Sequence, residues 1–410
     1  MRGLAPNRAV RAARHGRVSG ASVNARIAAV VVLVFAPTVA TAQRAQSLRP
    51  ASATIDAEFS GIISARELAD GRVLVADVGE RRVFLADFAK QAATAVGRVG
   101  QGPGEYQSPG TLYSLGHDST LMVEQRFGRW HIFAGAELAT TLPADDRIVT
   151  AFQRAVSGAD GRGTLVRLVG AGLGGKDIPK TGPESMVILR ALRASGRVDT
   201  IGMAKAAPTR INAQTNARGE ITQIAIVTPP FAAGDAVSLF EDGWLAIVRV
   251  QPYRVDWRAP DGRVTNGTPL PWRSPRVTDR ELEAFFRARA RPSAGTSAAD
   301  GEQAIRRQVD EARAIAPTLV SPVASGGAYV PGGPSGTGVV QLPDGRLLIR
   351  HPETPDRPTP LYDIVDRGGR LAGTLALGAG QWIVATGRGG AYVVTTDGDG
   401  IQTLSRHPWP

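Results

Sequence analysis

The sequence of 410 residues contains no cysteine. That removes disulfides, thiolate nucleophiles and cysteine-ligated metals together. Lysine is confined to Lys90, Lys176, Lys180 and Lys205, so arginine carries the formal charge of +11. Six of those arginines (Arg2, Arg8, Arg11, Arg14, Arg17, Arg26) fall within residues 1–42, which hold no acid, and the remainder carries only +5. No basic run with interleaved aromatics occurs after residue 42, which argues against nucleic acid as a partner. Asparagine is scarce after that point (Asn212, Asn216, Asn266), and the histidines there (His117, His131, His351, His407) show no paired-ligand spacing, so no metal site is assigned. There is no Gly-x-Ser-x-Gly nucleophile elbow and no Gly-Lys-Ser/Thr phosphate loop.

Glycine and proline are abundant. Gly 48 and Pro 28 make about 19% of the chain, against a usual level of roughly 12%, which fits many tight turns. The N-terminus has the layout of a secretory leader. Arg-rich residues 1–26 precede an apolar run from Ile27 to Ala36, and Ala40-Thr41-Ala42 supplies a small-residue cleavage pattern. The run is shorter than the ~20 residues a membrane helix requires. An exported, periplasmic or extracellular protein with no stable membrane span after cleavage is expected.

A unit recurs beyond residue 50. Its clearest copies run from Glu67 through Asp70-Gly71-Arg72 to Asp77, from Leu239 through Asp242-Gly243 to Arg249, and from Gln341 through Asp344-Gly345-Arg346 to His351. Leu115 to Gln125 is a fourth, with Ser119 in the glycine place. Asp-Gly between two apolar runs predicts a hairpin, with a type I′ turn. Second hairpins follow at Pro260-Asp261-Gly262, Arg367-Gly368-Gly369 and Ser195-Gly196. The unit therefore reads as four short antiparallel strands, a to d. One such sheet cannot bury both faces alone, so copies must stack. Units are expected at 59–98, 108–143, 147–203, 234–270, 320–377 and 379–408. The last lacks a d strand, and Ala51 to Phe59 is available to complete it, which would remove an exposed edge. Residues 275–318 break the pattern with two helical stretches. Thr278 and Glu281 form a capping box ahead of Leu282, Phe285 and Phe286, and Ile305, Val309 and Ala312 share a face further on.

Between the first two units lies Gly97 to Gly110. Here Gly100, Gly102, Pro103, Gly104, Glu105, Tyr106 and Pro109 follow a Gly-x-Gly-Pro-Gly-Glu-aromatic-x-x-Pro linker pattern. With the Asp-Gly-Arg strand starts and the leader, this resembles the secreted six-bladed β-propeller proteins related to NHL-repeat proteins. The resemblance covers residues ~52–408, and is thin across 203–233. It implies an all-β fold, a six-bladed β-propeller of four-stranded antiparallel blades over 43–410, with a small helical insertion between blades 4 and 5. Propellers of this kind are largely binding scaffolds, and a few are lyases or hydrolases.

Counting six residues on from each turn glycine reaches the end of strand b in every unit, at Asp77, Gln125, Arg167, Arg249, His351 and, less directly aligned, Thr396. Arg350 adjoins them, as do Arg126, Arg254 and Arg357. Loops on rigid sheets are where propellers gather function. A cationic face of b–c loops would attract an anionic glycan, peptide or phosphorylated compound. The expectation is a monomeric, non-catalytic binding propeller with no cofactor, whose partner is a small molecule, glycan or protein. The alternative is a metal-dependent lactonase- or lyase-type enzyme using the central channel.

Overall fold

A computed structural model describes residues 45–410 apart from 103, 125–127, 143–155, 171–179, 217, 219–220, 288–296 and 324–337. The leader, Pro103, Gln125 and Arg126 lie outside the described residues, as does most of the connector between the helices.

Two short strands, β1 (Gln46–Ser47) and β2 (Ala53–Thr54), precede a run of antiparallel sheets. The first sheet is β3 (Ile62–Glu67), β4 (Val73–Asp77), β5 (Arg82–Asp87) and β6 (Ala92–Val96). A parallel ribbon of β7 (Arg98–Val99) and β8 (Glu105–Tyr106) leads to the second, β9 (Leu112–Ser114), β10 (Ser119–Glu124), β11 (Arg129–Ala134) and β12 (Glu137–Leu142). The third is β13 (Gly158–Ala159), β14 (Thr164–Val169), β15 (Ser185–Leu192) and β16 (Arg197–Lys205). A separate hairpin, β17 (Arg210–Thr215) with β18 (Ile221–Val227), occupies the stretch where the repeat is thin. The fourth sheet is β19 (Ala236–Leu239), β20 (Leu245–Val250), β21 (Tyr253–Arg258) and β22 (Val264–Thr265). The fifth is β23 (Val339–Gln341), β24 (Leu347–Arg350), β25 (Leu361–Val365) and β26 (Leu371–Ala376), to which β1 adds a parallel fifth strand. The last is β27 (Gln381–Gly387), β28 (Gly390–Thr396) and β29 (Gln402–His407), and β2 is its fourth strand, pairing Ala53 with Arg406.

The Asp-Gly turns differ from the expected type I′. Only the glycine has positive φ, at 84° in Gly71, 88° in Gly243 and 88° in Gly345. Leu68 N donates to Arg72 O at 2.7 Å and Gly71 N to Leu68 O at 3.0 Å, a three-residue loop made of a type I turn and a bulge glycine. Aspartate is selected for its side chain. Asp70 Oδ1 accepts from Arg72 N at 2.9 Å and Oδ2 from Arg72 Nε at 2.7 Å, a clip repeated by Asp261 with Arg263 and Asp344 with Arg346. That local clip explains Asp-Gly-Arg as a repeat signature.

Packing follows the strand period of two. In β4, Val73 and Val75 join a core shared with Trp382, Tyr392 and Leu404 of the last sheet. Leu74 and Ala76 join another, shared with Leu112, Met122 and Phe133 of the second sheet. A strand buried on both faces reads as one apolar run, as the sequence does here. Further cores lie between the second and third sheets, third and fourth, fourth and fifth, and fifth and last.

In chain order the helices lie between β22 and β23, at Asp279–Arg287 and Ala298–Arg313. Glu281 Oε2 accepts from Thr278 N at 3.0 Å, the predicted cap contact. The second helix starts four residues before the expected Glu302 because Ser297 caps it, accepting from Asp300 N at 3.1 Å. Leu282, Ile305, Val309 and Ala312 bury against Phe231 and Val320. No helix of the described residues is long and apolar enough to cross a membrane.

Candidate functional site

The first strands of the sheets, β3, β9, β13, β19, β23 and β27, lie beside one another in that order, with β27 also beside β3. They line a cavity of ≈ 750 Å³. Its wall includes Arg66, Asp118, Glu241, Arg350, Arg367 and Arg388. Most of the charges cluster where the first strands end, next to the Asp-Gly turns.

The cavity arginines are not equivalent. Arg367 donates to Asp242 at 2.6 Å and lies over Trp244 at 4.9 Å. Arg350 donates to Glu353 at 2.6 Å, and Arg388 Nε lies 3.7 Å from Glu67. Burial works against the Arg350 charge, but Tyr362 and Glu353 outweigh it and hold the guanidinium above its usual range. Arg66 has hydroxyl partners instead, Thr120 Oγ1 and, at 3.1 Å, Ser114 Oγ. No carboxylate among the described residues lies within ion-pair distance of it. Burial lowers its guanidinium below the usual range, and the charges of Glu241 and Asp118 partly offset that.

The carboxylates also divide. Glu67 Oε2 accepts from Tyr392 Oη at 2.8 Å and Gly389 N at 3.1 Å. Asp118 Oδ1 accepts from Ala69 N at 2.9 Å. The Glu241 side chain is exposed and makes no hydrogen bond to a described residue, while its carbonyl anchors the turn by accepting from Gly161 N at 2.9 Å. Tyr113, also on the wall, donates to Val156 O at 2.6 Å, and burial pushes its phenol up to about 12, so it stays neutral.

The described residues of the predicted strand-b ring each have partners of their own. Asp77 is buried and caps a turn, accepting from Ser60 N and Glu80 N, both at 2.9 Å. Arg167 lies half-buried in β14, where burial lowers its guanidinium. Arg249 donates to Asp256 and Asp235, both at 2.8 Å, and to Met203 O at 2.8 Å. His351 is buried, with Nδ1 2.6 Å from Pro322 O and Nε2 3.1 Å from Asp363 Oδ2. Asp363 also accepts from Tyr253 Oη at 2.8 Å, and Trp272 stacks on His351 at 4.6 Å, with Arg357 over that indole at 4.8 Å. These contacts tie the fourth sheet to the fifth. Arg350 alone of the described ring residues and their neighbour lines the cavity.

In the linker, Glu105 Oε2 accepts from Gly102 N at 2.9 Å, and Tyr106 Oη accepts from Val83 N at 2.8 Å and donates to Val96 O at 2.6 Å. A Cβ on Gly100 would sit 2.1 Å from the Glu105 carboxylate and push it off Gly102 N. The linker is thus a connector held by its own side chains.

Sequence reasoning missed Arg66 and Glu241. The signal available for Glu241 was the residue just before each turn aspartate, which gives Ala69, His117, Glu241 and Pro343; it does not reach Arg66. Among the described residues no three of His, Asp and Glu converge to hold a metal ion.

No family profile and no curated protein matches the chain. Among solved structures it is similar to a streptogramin B lyase (10% identity, covering 86% of this chain and 85% of that one, TM-score 0.35). It is similar to a protein assigned as a gluconolactonase (9% identity, 88% and 96% covered, TM-score 0.39). A third is the calcium-binding protein regucalcin from Agrobacterium tumefaciens (10% identity, 89% and 97% covered, TM-score 0.33). The overlaps are loose, and the fold rests on the strand pairing above.

The proteins it resembles are of propeller type. The expected non-catalytic scaffold is corrected by this comparison: a lyase and a protein assigned as a gluconolactonase stand among the similar structures.

Proposed function

We propose that the chain is an exported six-bladed propeller with its helical insertion between blades 4 and 5, released from a leader over residues 1–42. Six sandwiched cores and the pairing of β2 with β29 support this reading. On that frame the protein is a lactonase- or lyase-type enzyme working in the central cavity. The observation that carries the proposal is the Glu241 carboxylate, without a hydrogen bond to any described residue, on the wall of the same cavity as Arg66.

Among the described residues no donor set fits a carboxylate-held metal, so the reaction is derived from this pair alone. An unengaged carboxylate sharing a cavity with a cation suits removal of a proton from carbon next to a carbonyl group. Glu241 takes the C–H proton, the released electron pair forms a C=C bond, and the C–O bond beyond it breaks. The leaving oxygen keeps that bond's electrons. Arg66 donates hydrogen bonds to the carbonyl oxygen as negative charge builds on it. The cavity, at ≈ 750 Å³, falls in the range of roughly 300–1,000 Å³ typical of small-molecule sites.

The test is a panel of lactones and β-acyloxy or β-alkoxy carbonyl compounds. Elimination is followed by ultraviolet absorbance of the new double bond, and ring opening by proton release. Turnover by the parent and its loss in Glu241→Gln are expected. Turnover that survives Glu241→Gln would sink the reading.

A further inference from the structure

The three arginines other than Arg66 on the cavity wall already face carboxylates: Arg350 with Glu353 at 2.6 Å, Arg367 with Asp242 at 2.6 Å and Arg388 with Glu67 at 3.7 Å. A ligand anion gains little from a cation already paired. Arg66 is held by two neutral hydroxyls, on Thr120 and Ser114, which fix its guanidinium and leave the charge uncompensated at contact distance. Two of its N–H groups are engaged by described residues, and the others remain to bind a planar acceptor pair.

We propose that the substrate carries a carboxylate group and that Arg66 is its seat in the cavity. This inference rests on the cavity-enzyme reading and names the substrate class for it. The charge balance selects the anion. Glu241 and Asp118 already act on Arg66, so every negative charge a ligand brings adds repulsion, and a singly charged group meets less of it than a doubly charged phosphate. A monoanionic carboxylate matches the single guanidinium in charge and in fork geometry. Glu241 lines the same cavity as the seated carboxylate. The same Arg66 N–H groups then hydrogen-bond both carboxylate oxygens as the carbon loses its proton to Glu241.

The experiment uses the purified protein with two isosteric probes, 3-hydroxybutanoate and its neutral amide, compared by calorimetric titration and by ligand-observed NMR. Wild type is expected to bind the acid about 10- to 100-fold more tightly than the amide, the range of a charge-assisted hydrogen-bonded contact. Arg66→Gln is expected to erase the preference, and Arg66→Lys to keep part of it. Equal binding of acid and amide by wild type, no binding of the acid, or an undiminished preference in Arg66→Gln overturns the seat. The wild-type comparison decides even where Arg66→Gln folds poorly. Glu241→Gln separates the two claims. An acid preference with turnover untouched by Glu241→Gln leaves the seat standing and the enzyme reading refuted. No acid preference with turnover lost in Glu241→Gln does the reverse.

Discussion

Tyr106→Phe removes one oxygen from the linker and nothing else. That oxygen accepts from Val83 N at 2.8 Å and donates to Val96 O at 2.6 Å, and so staples the second sheet's lead-in to two strands of the first. Val83 is fully buried, so its N–H cannot turn to water when the phenol is lost. A buried donor left unsatisfied costs about 1–3 kcal/mol. Val96 is half-buried, and its carbonyl recovers a water partner at smaller cost. Phenylalanine keeps the ring volume, so no cavity term adds. The expected loss is about 1.5–3 kcal/mol, read by urea unfolding as a lower midpoint at unchanged slope. Tyr113→Phe is the internal comparison. Its hydroxyl donates to Val156 O and holds no buried backbone N–H, and its removal costs about 1 kcal/mol. A Tyr106→Phe midpoint within about 0.5 kcal/mol of wild type, the scatter of inert surface changes, would refute the staple.

Three further outcomes follow from particular contacts. Gly110→Ala places a Cβ 1.7 Å from Val123 O, backbone that cannot step aside; the variant is expected to lose more than about 4 kcal/mol or to fail to fold, measured by soluble yield and unfolding midpoint. Burial pushes the Asp256 carboxyl up, but hydrogen bonds from Arg254 and Arg249 outweigh it and hold the group below its usual range. A depressed carboxyl contributes stability that is complete above the unfolded value of ~4 and is lost as pH falls through the folded value. The stability gap between wild type and Asp256→Asn should therefore narrow as pH drops below ~4, and a gap constant with pH contradicts this. Expressed from its own gene in a secreting host, the protein is expected outside the cytoplasm with Gln43 at its N-terminus, read by intact-mass and N-terminal peptide analysis.

The four-stranded sheets were legible because each turn advertises itself locally: the Asp70–Arg72 clip needs only residues two apart. The turn type was not, because Asp-Gly also suits a type I turn with a bulge glycine, and only backbone geometry separates the two. The first helix was legible from Thr278 and Glu281, whereas Ser297 was hidden in a Gly/Ser/Ala stretch that reads as linker. Hairpin β17–β18 lies in polar Ala/Thr/Asn sequence without a period strong enough to announce it. The candidate site was the least legible part. Arg66 and Glu241 are far apart in the chain, and only the arrangement of first strands around one cavity brings them together. The strand-b residues, though aligned by the repeat, meet partners the repeat does not encode, as Arg249 meets Asp235 from another strand's approach.

The most direct measurement is the rate of the substrate found in the elimination panel, compared between wild type and Glu241→Gln under matched folding stability. Loss of a general base predicts kcat lower by about 10²- to 10⁴-fold with the unfolding midpoint unchanged. A kcat within twofold of wild type would contradict the cavity pair as the seat of the chemistry.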